Sequence, residues 1–183
     1  MSNSVRSDAS EDSRLSGILA QAERVRENCD YSSQRHFNTG SLFRRVYYLM
    51  GGGVAALAAF GSATFITSDA VPSALSAITA LAAALLASVT TFLKPGETAN
   101  DHYRAGNAYL RLRDDAQAFL DVDIRKPEST IDTLERSVSQ LAERRAGLND
   151  SYGMLFTPDW AYRKARRDIR RGQTRYEVDR RKD

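Results

Sequence analysis

The 183-residue sequence is poor in metal- and disulfide-forming side chains, with one cysteine and two histidines. A lone Cys29 excludes an intramolecular disulfide. With His36 and His102 far apart in sequence and no second cysteine, no spacing for a zinc site exists, so no metal ligand and no cofactor is expected. The deepest scarcity is local. Between Val46 and Leu93, a run of 48 residues, the only charged side chain is Asp69, although the chain carries 26 basic and 23 acidic residues. One ordinary soluble globule is excluded by that distribution.

Catalytic constellations are also absent. No Ser/His/Asp or Cys/His set stands in a recognisable motif, and Asp114, Asp115, Asp121 and Asp123 read as helix-surface and loop acids. Gly51-Gly52-Gly53 is followed by no Lys-Ser/Thr pair and preceded by no strand, so it is a hinge or close-packing site rather than a phosphate loop. No catalytic residue is expected, and the chain does not read as an enzyme.

What is present is an apolar hairpin. Residues 46–67 and 72–93 are each 22 residues long and free of charge. At 1.5 Å rise each spans about 33 Å, enough for a hydrocarbon core of about 30 Å. Ser68 to Val71 form a four-residue loop closed by Pro72, so the two helices run antiparallel. Arg35, Arg44 and Arg45 precede the first span, and Lys94, Arg104, Arg111 and Arg113 follow the second, while the loop has no Lys or Arg. That asymmetry predicts that both termini are cytoplasmic, with Asp69 at the outer surface. The alternative is a buried helical hairpin in a soluble protein, which the modest Ala- and Gly-rich hydrophobicity favours weakly.

The second span has two unlike sides. Leu75, Ile78, Leu81, Leu85, Val89 and Phe92 form a lipid-facing or hairpin-packing ridge. Ser73, Ser76, Ala80, Ala83, Ala87, Thr90 and Thr91 form a small and hydroxylated side, either packed within the hairpin or lining a polar path between copies. The first span has Gly52 and Ala56, and Ala55, Ala59 and Ala63, in small-xxx-small register, which suits a homo-oligomer.

Outside the hairpin every periodic stretch is helical. Residues 1–13 read as a disordered tail, and 14–45 as a cytoplasmic helical segment with a stripe of Leu15, Ile18, Leu19, Ala22, Val25 and Cys29. A break is expected at Asn38-Thr39-Gly40, with Ser41 capping the helix that enters the membrane. Residues 94–183 read as a cytoplasmic helical region. After Lys94-Pro95-Gly96, a helix carries Ala99, Tyr103, Gly106, Tyr109, Leu112, Ala116, Phe119 and Leu120, and its pattern stops between Asp121 and Pro127. A further helix begins near Pro127, with a coiled-coil type of stripe at Ile131, Leu134, Val138, Leu141 and Leu148, and Arg145 in one seam position. A last helix opens at Thr157-Pro158-Asp159, with Thr157 as cap, lines one face with Ala161, Ala165 and Ile169, and is followed by Tyr176 and Val178. Tyr47, Tyr48, Phe92 and Tyr103 suit the interfacial zone. The expected fold is all-α: an antiparallel two-helix transmembrane hairpin flanked by cytoplasmic helices forming a bundle.

The positive charge belongs to the end of the chain, where residues 159–183 hold 10 basic and 5 acidic side chains. Arg163, Lys164, Arg166, Arg167, Arg170 and Arg171 suit anionic lipid or an intersubunit acid, the phosphates of a nucleotide, or a solvated face. Nucleic acid is not an expected partner, because no reading module accompanies the charge.

Over about residues 14 to 180 the order of elements resembles the SLATT family, the SMODS and SLOG-associating two-transmembrane effector domain of prokaryotes. The likeness rests on the entry Phe43-Arg44-Arg45-Val46-Tyr47-Tyr48, the paired spans and the exit Phe92-Leu93-Lys94-Pro95. It extends through the run from His102 to Leu112 and the terminal stretch with Trp160, Ala165, Ile169, Gly172 and Tyr176. The resemblance implies a membrane effector of a prokaryotic conflict or antiviral defence system. Such domains are proposed to oligomerise into pores on a signal from a nucleotidyltransferase or nucleotide-sensing partner, killing or arresting the cell. A hairpin serving only as the anchor of a helical scaffold or binding module is the alternative.

Overall fold

In the computed structural model, secondary structure is described for residues 2–66 and 73–172, and side chains for 11–63 and 74–172. The described residues form five α-helices and no strand: α1 (Ser2–Ile66), α2 (Ser73–Leu93), α3 (Pro95–Asp121), α4 (Ile131–Tyr152) and α5 (Asp159–Arg170), with a short 3₁₀ turn at Asp123–Arg125. The all-α expectation is met. The loop with Asp69, and Tyr176 and Val178, lie outside the described residues.

Two boundaries differ from the sequence reading at the start of the chain. Residues 1–13 were expected as a disordered tail, yet α1 begins at Ser2. The stretch contains no proline or glycine, so nothing in it stops a helix propagating backwards from the Ile18 stripe. The expected break at Asn38-Thr39-Gly40 is also absent, and Ser41 caps nothing, because α1 continues to Ile66. Asn and Gly weaken a helix by up to about 1 kcal/mol each relative to Ala. Burial offsets this: Asn38 and Thr39 are 7% and 0% exposed, and the Asn38 Oδ1 accepts a 2.6 Å hydrogen bond from Lys164 Nζ.

By contacts the chain divides into two compact units, residues 39–101 and the remainder. In the larger unit, α1, α3 and α4 share one core. Ile18, Ala22, Val25 and Cys29 of α1 meet Tyr109, Leu112, Ala116 and Phe119 of α3 and Leu134, Val138 and Leu141 of α4. Each stripe has the three-four spacing that aligns side chains on one helical face, and each fully buried Leu contributes about 1.5–3 kcal/mol. The α4 stripe therefore packs within its own chain. Arg113 of α3 and Asp30 of α1 add an ion pair at 3.6 Å, both side chains mostly buried.

Helix α4 starts at Ile131 rather than near Pro127. Thr130 is its cap: the Thr130 hydroxyl accepts from the Thr133 N–H at 3.3 Å, and Thr133 Oγ1 accepts from the Thr130 N–H at 3.0 Å. This reciprocal pair satisfies donors that a helix beginning at Pro127 would have left to solvent.

The start of α5 is shifted by one residue, with Pro158 at the cap position and no side-chain cap. Thr157, expected as the cap, instead accepts a hydrogen bond from Arg35 of α1. The Arg35 guanidinium also lies 5.7 Å from the centre of the Tyr162 ring, and Tyr31 packs on the same ring at 6.1 Å. Ala161 and Ala165, both 0% exposed, give α5 the small inner face that lets it approach closely.

The smaller unit is an antiparallel pair made from the last part of α1 and from α2. Gly53 lies against Leu86 and Gly61 against Thr79, so the order of contacts reverses along the two helices. A Cβ at Gly53 would stand 3.0 Å from Leu86 Cδ2, and one at Gly61 would stand 3.1 Å from Thr79 Oγ1. Gly51 and Gly52 have open space around them, so of the glycine triplet only Gly53 is a close-packing site. Helix α2 ends because Pro95 disfavours helical geometry in the residue before it. Lys94 accordingly turns into the left-handed region with φ 44°, and α3 starts afresh at Pro95.

Candidate functional site

The outer surface of the hairpin is the first candidate site. Ile78, Leu81, Leu85 and Phe92 of α2 are 62%, 61%, 60% and 86% exposed, and Leu75 and Val89 lie on the same ridge. Of the two roles open to this ridge, packing inside the hairpin is thereby removed. In the most apolar 18-residue stretch of each helix, 0% of α1 and 6% of α2 is buried. Both helices are long and apolar enough to cross a membrane. The chain itself therefore leaves uncovered a ridge of large apolar side chains, each of which gains about 1.5–3 kcal/mol when fully removed from water.

The small and hydroxylated side of α2 is divided by the fold. Ser76, Ala83, Ala87 and Thr90 are half-buried, Ala80 and Thr91 are exposed, and the Ser73 side chain lies outside the described residues. The hydroxyls of Thr90 and Thr91 donate to the carbonyls of Leu86 and Ala87 in their own helix, at 2.7 and 2.9 Å. Thr79, 9% exposed, and half-buried Leu86 are the seam residues that the sequence reading missed. Their signal was the spacing of Thr79, Ala83, Leu86 and Thr90 by four, three and four, which places one stripe toward a partner helix.

On α1 the half-buried residues of the hairpin among the described residues are Val46, Met50, Gly53, Val54, Leu57 and Gly61. The small-xxx-small residues Gly52, Ala55, Ala56, Ala59 and Ala63 are all exposed. They are therefore not spent on packing within the hairpin. A surface of glycine and alanine lets another helix backbone come close, which is how helices associate in hydrocarbon.

The basic set of α5 is divided as well. Lys164 bonds Asn38 and lies 3.8 Å from Asp168, and Arg167 lies 3.9 Å from the same carboxylate. Arg163, Arg166, Arg170 and Arg171 are exposed and make no ion pair among the described residues. Arg163, Arg166 and Arg170 recur at three and four along α5, so they share one outward face.

The two histidines, distant in sequence, are brought together. His36 of α1 and His102 of α3 are buried with their Nδ1 atoms 3.0 Å apart, one donating and the other accepting. His36 stacks on Tyr109 at 5.7 Å with an interplanar angle of 12°, and the Tyr109 hydroxyl donates to Asn149 Oδ1 of α4 at 2.8 Å. Burial, then His102 and Arg35, pushes His36 down to about 4. Burial pushes the Cys29 thiol up to about 11. A buried thiol held protonated is a poor nucleophile. No group of three or more His, Cys, Asp or Glu capable of holding a metal occurs among the described residues.

The acids set aside in the sequence have partners near the surface. Asp114 pairs with Arg113, Asp115 with Arg144 and Asp123 with Lys126, and Asp121 accepts from Gln117. Tyr103, expected at the membrane interface, is half-buried with its ring 6.2 Å from that of Phe37. Gly106, one turn on, allows this: a Cβ there would stand 2.8 Å from Phe37 Cε1. No known protein family, characterised protein or solved structure matches the chain.

Proposed function

We propose that the chain is an inner-membrane effector of a prokaryotic conflict system, of the kind its resemblance to the SLATT family implies. The hairpin spans the bilayer, both termini are cytoplasmic, and copies associate through the hairpin to permeabilise the membrane. The observation that carries the reading is the exposure of Ile78, Leu81, Leu85 and Phe92, a surface suited to lipid and not to water. Association is supported by the outward Ala55, Ala56, Ala59 and Ala63 of α1, which face away from the hairpin seam. In the same reading an upstream nucleotidyltransferase or nucleotide-sensing partner supplies the trigger, and the cytoplasmic helices receive it.

Induced expression is expected to depolarise cells and admit a membrane-impermeant dye. Ala59→Leu and Ala80→Leu, both on the outside of the hairpin, are expected to abolish depolarisation and the oligomer on native gels while leaving membrane insertion intact. Normal membrane potential at growth-arresting expression of the parent chain would end the pore reading.

A second reading, in which the hairpin only anchors a binding module, is favoured by two observations. The hydroxyls of Thr79, Ser88, Thr90 and Thr91 donate to their own helix, and so do not offer their protons to a water path. Met154 and Phe156, 95% and 75% exposed between α4 and α5, offer apolar contacts to a partner.

A further inference from the structure

At the end of the hairpin where α1 enters and α2 leaves, the chain forms a cleft of about 550 Å³. Arg44, Tyr47 and Tyr48 of α1 line one side, and Thr90, Thr91, Lys94, Gly96, Glu97 and Asn100 line the other. Tyr47 forms a wall, its ring close enough to Gly96 that a Cβ there would lie 3.3 Å from Cδ2. Lys94 Nζ is 3.1 Å from Glu97 Oε2, so the two lining cations exceed the one carboxylate by a single positive charge.

Lys94 is the only non-glycine residue with positive φ among the described residues. The left-handed region is costly for a residue with a Cβ, and glycine or asparagine is the usual occupant. A lysine there puts a cation at the corner where the apolar helix stops. Arg44 stands two residues before the apolar run begins, so both cations flank the same end of the hairpin. The exposed side chains of Val89, Phe92 and Leu93 lie just beside this corner in sequence and continue the apolar surface away from it.

We propose that this cleft holds the phosphodiester headgroup of an anionic phospholipid. The single excess positive charge matches the single negative charge of a phosphodiester, and basic pockets beside spanning helices are recognised sites for such headgroups. The Thr90 and Thr91 hydroxyls spend their protons on their own helix, so the donors are the Arg44 guanidinium, the Lys94 ammonium, the tyrosine hydroxyls and the Asn100 amide. The acyl chains lie along the exposed ridge of α2. This assignment rests on the hairpin spanning the bilayer, and it is separate from the basic face of α5.

The test is native mass spectrometry of the full chain in neutral detergent, given equal amounts of phosphatidylglycerol and phosphatidylcholine with the same acyl chains. Phosphatidylglycerol is expected to be retained in preference by about ten-fold. Arg44→Gln with Lys94→Gln is expected to erase the preference, and Arg166→Gln with Arg170→Gln to leave it. Glu97→Gln, which removes the opposing carboxylate, is expected to strengthen it, so the site is also probed by a gain. Equal retention of the two lipids, or a preference that survives loss of both cations, overturns the proposal. So does binding of inorganic phosphate in calorimetry without any lipid preference, which would place the ligand in solution. Alkaline carbonate extraction separates the two levels. A chain that stays in the membrane without lipid preference loses only the lipid site, whereas a chain that is extracted loses the hairpin reading and the site with it.

Discussion

The pairing of His36 with His102 shows how far a single side chain's chemistry depends on its neighbours. Nothing in a sequence separation of 66 residues hints that two Nδ1 atoms meet at 3.0 Å. His36 stays neutral in the folded chain because burial, then the neighbouring His102 ring and Arg35, oppose a positive charge on it, and it falls from its ordinary 6.5 to about 4. Below pH 6.5 the unfolded chain takes up a proton that the native chain refuses, so stability falls with pH between about 6.5 and 4. The slope is at most about 1.4 kcal/mol per pH unit, and below about pH 4 this group costs nothing more. Denaturation midpoints followed by the fluorescence of Trp160, the only tryptophan, are expected to show this slope, and His36→Gln to flatten it. Parallel curves for the two proteins would remove His36 as the cause. Cys29 illustrates the same dependence: the sequence reading placed it on a helical stripe, and only its surroundings make the thiol inert.

Helices were more legible than their ends. The stripes of Ile18 to Cys29, Tyr109 to Phe119 and Leu134 to Leu141 were read from spacing alone, because burial on one face leaves a period that survives in sequence. The boundaries were less legible. Asn38-Thr39-Gly40 has the composition of a break, and its helical state depends on burial and on Lys164, which arrives from 126 residues away. Leu42→Pro discriminates the two descriptions. Were Ser41 a cap, proline at the first helical position would be tolerated. In a continuous α1 it is expected to cost about 3 kcal/mol or more, seen as a lowered denaturation midpoint of the full chain in detergent. An unchanged midpoint would restore the break. The candidate lining of α2 fared similarly: the small side was visible, but whether Ala83 faces a seam and Ala80 the outside depends on where α1 lies.

For the whole molecule, the question is whether the hairpin acts or only holds. Replacing residues 46–93 with an unrelated two-span hairpin of equal length tests this directly. If the native hairpin makes the pore, the exchanged protein is expected to insert, to keep the Trp160 emission of the parent and to lose at least about 90% of the depolarisation, since a different surface cannot reproduce an alanine-lined contact. Depolarisation that survives the exchange would assign the activity to the other helices. The sequence by itself determined the all-α class and the presence of two long apolar helical stretches, because two uncharged runs of 22 residues permit little else. Only the tertiary structure decided that Thr79 and Leu86 meet glycines while Ala55 and Ala59 face outward, that two distant histidines meet within hydrogen-bond distance, and that Arg44 and Lys94 line one cleft. Periodicity marks which residues share a face of one helix. It carries no information about which helix that face will meet, and the meeting sets burial, charge and chemistry.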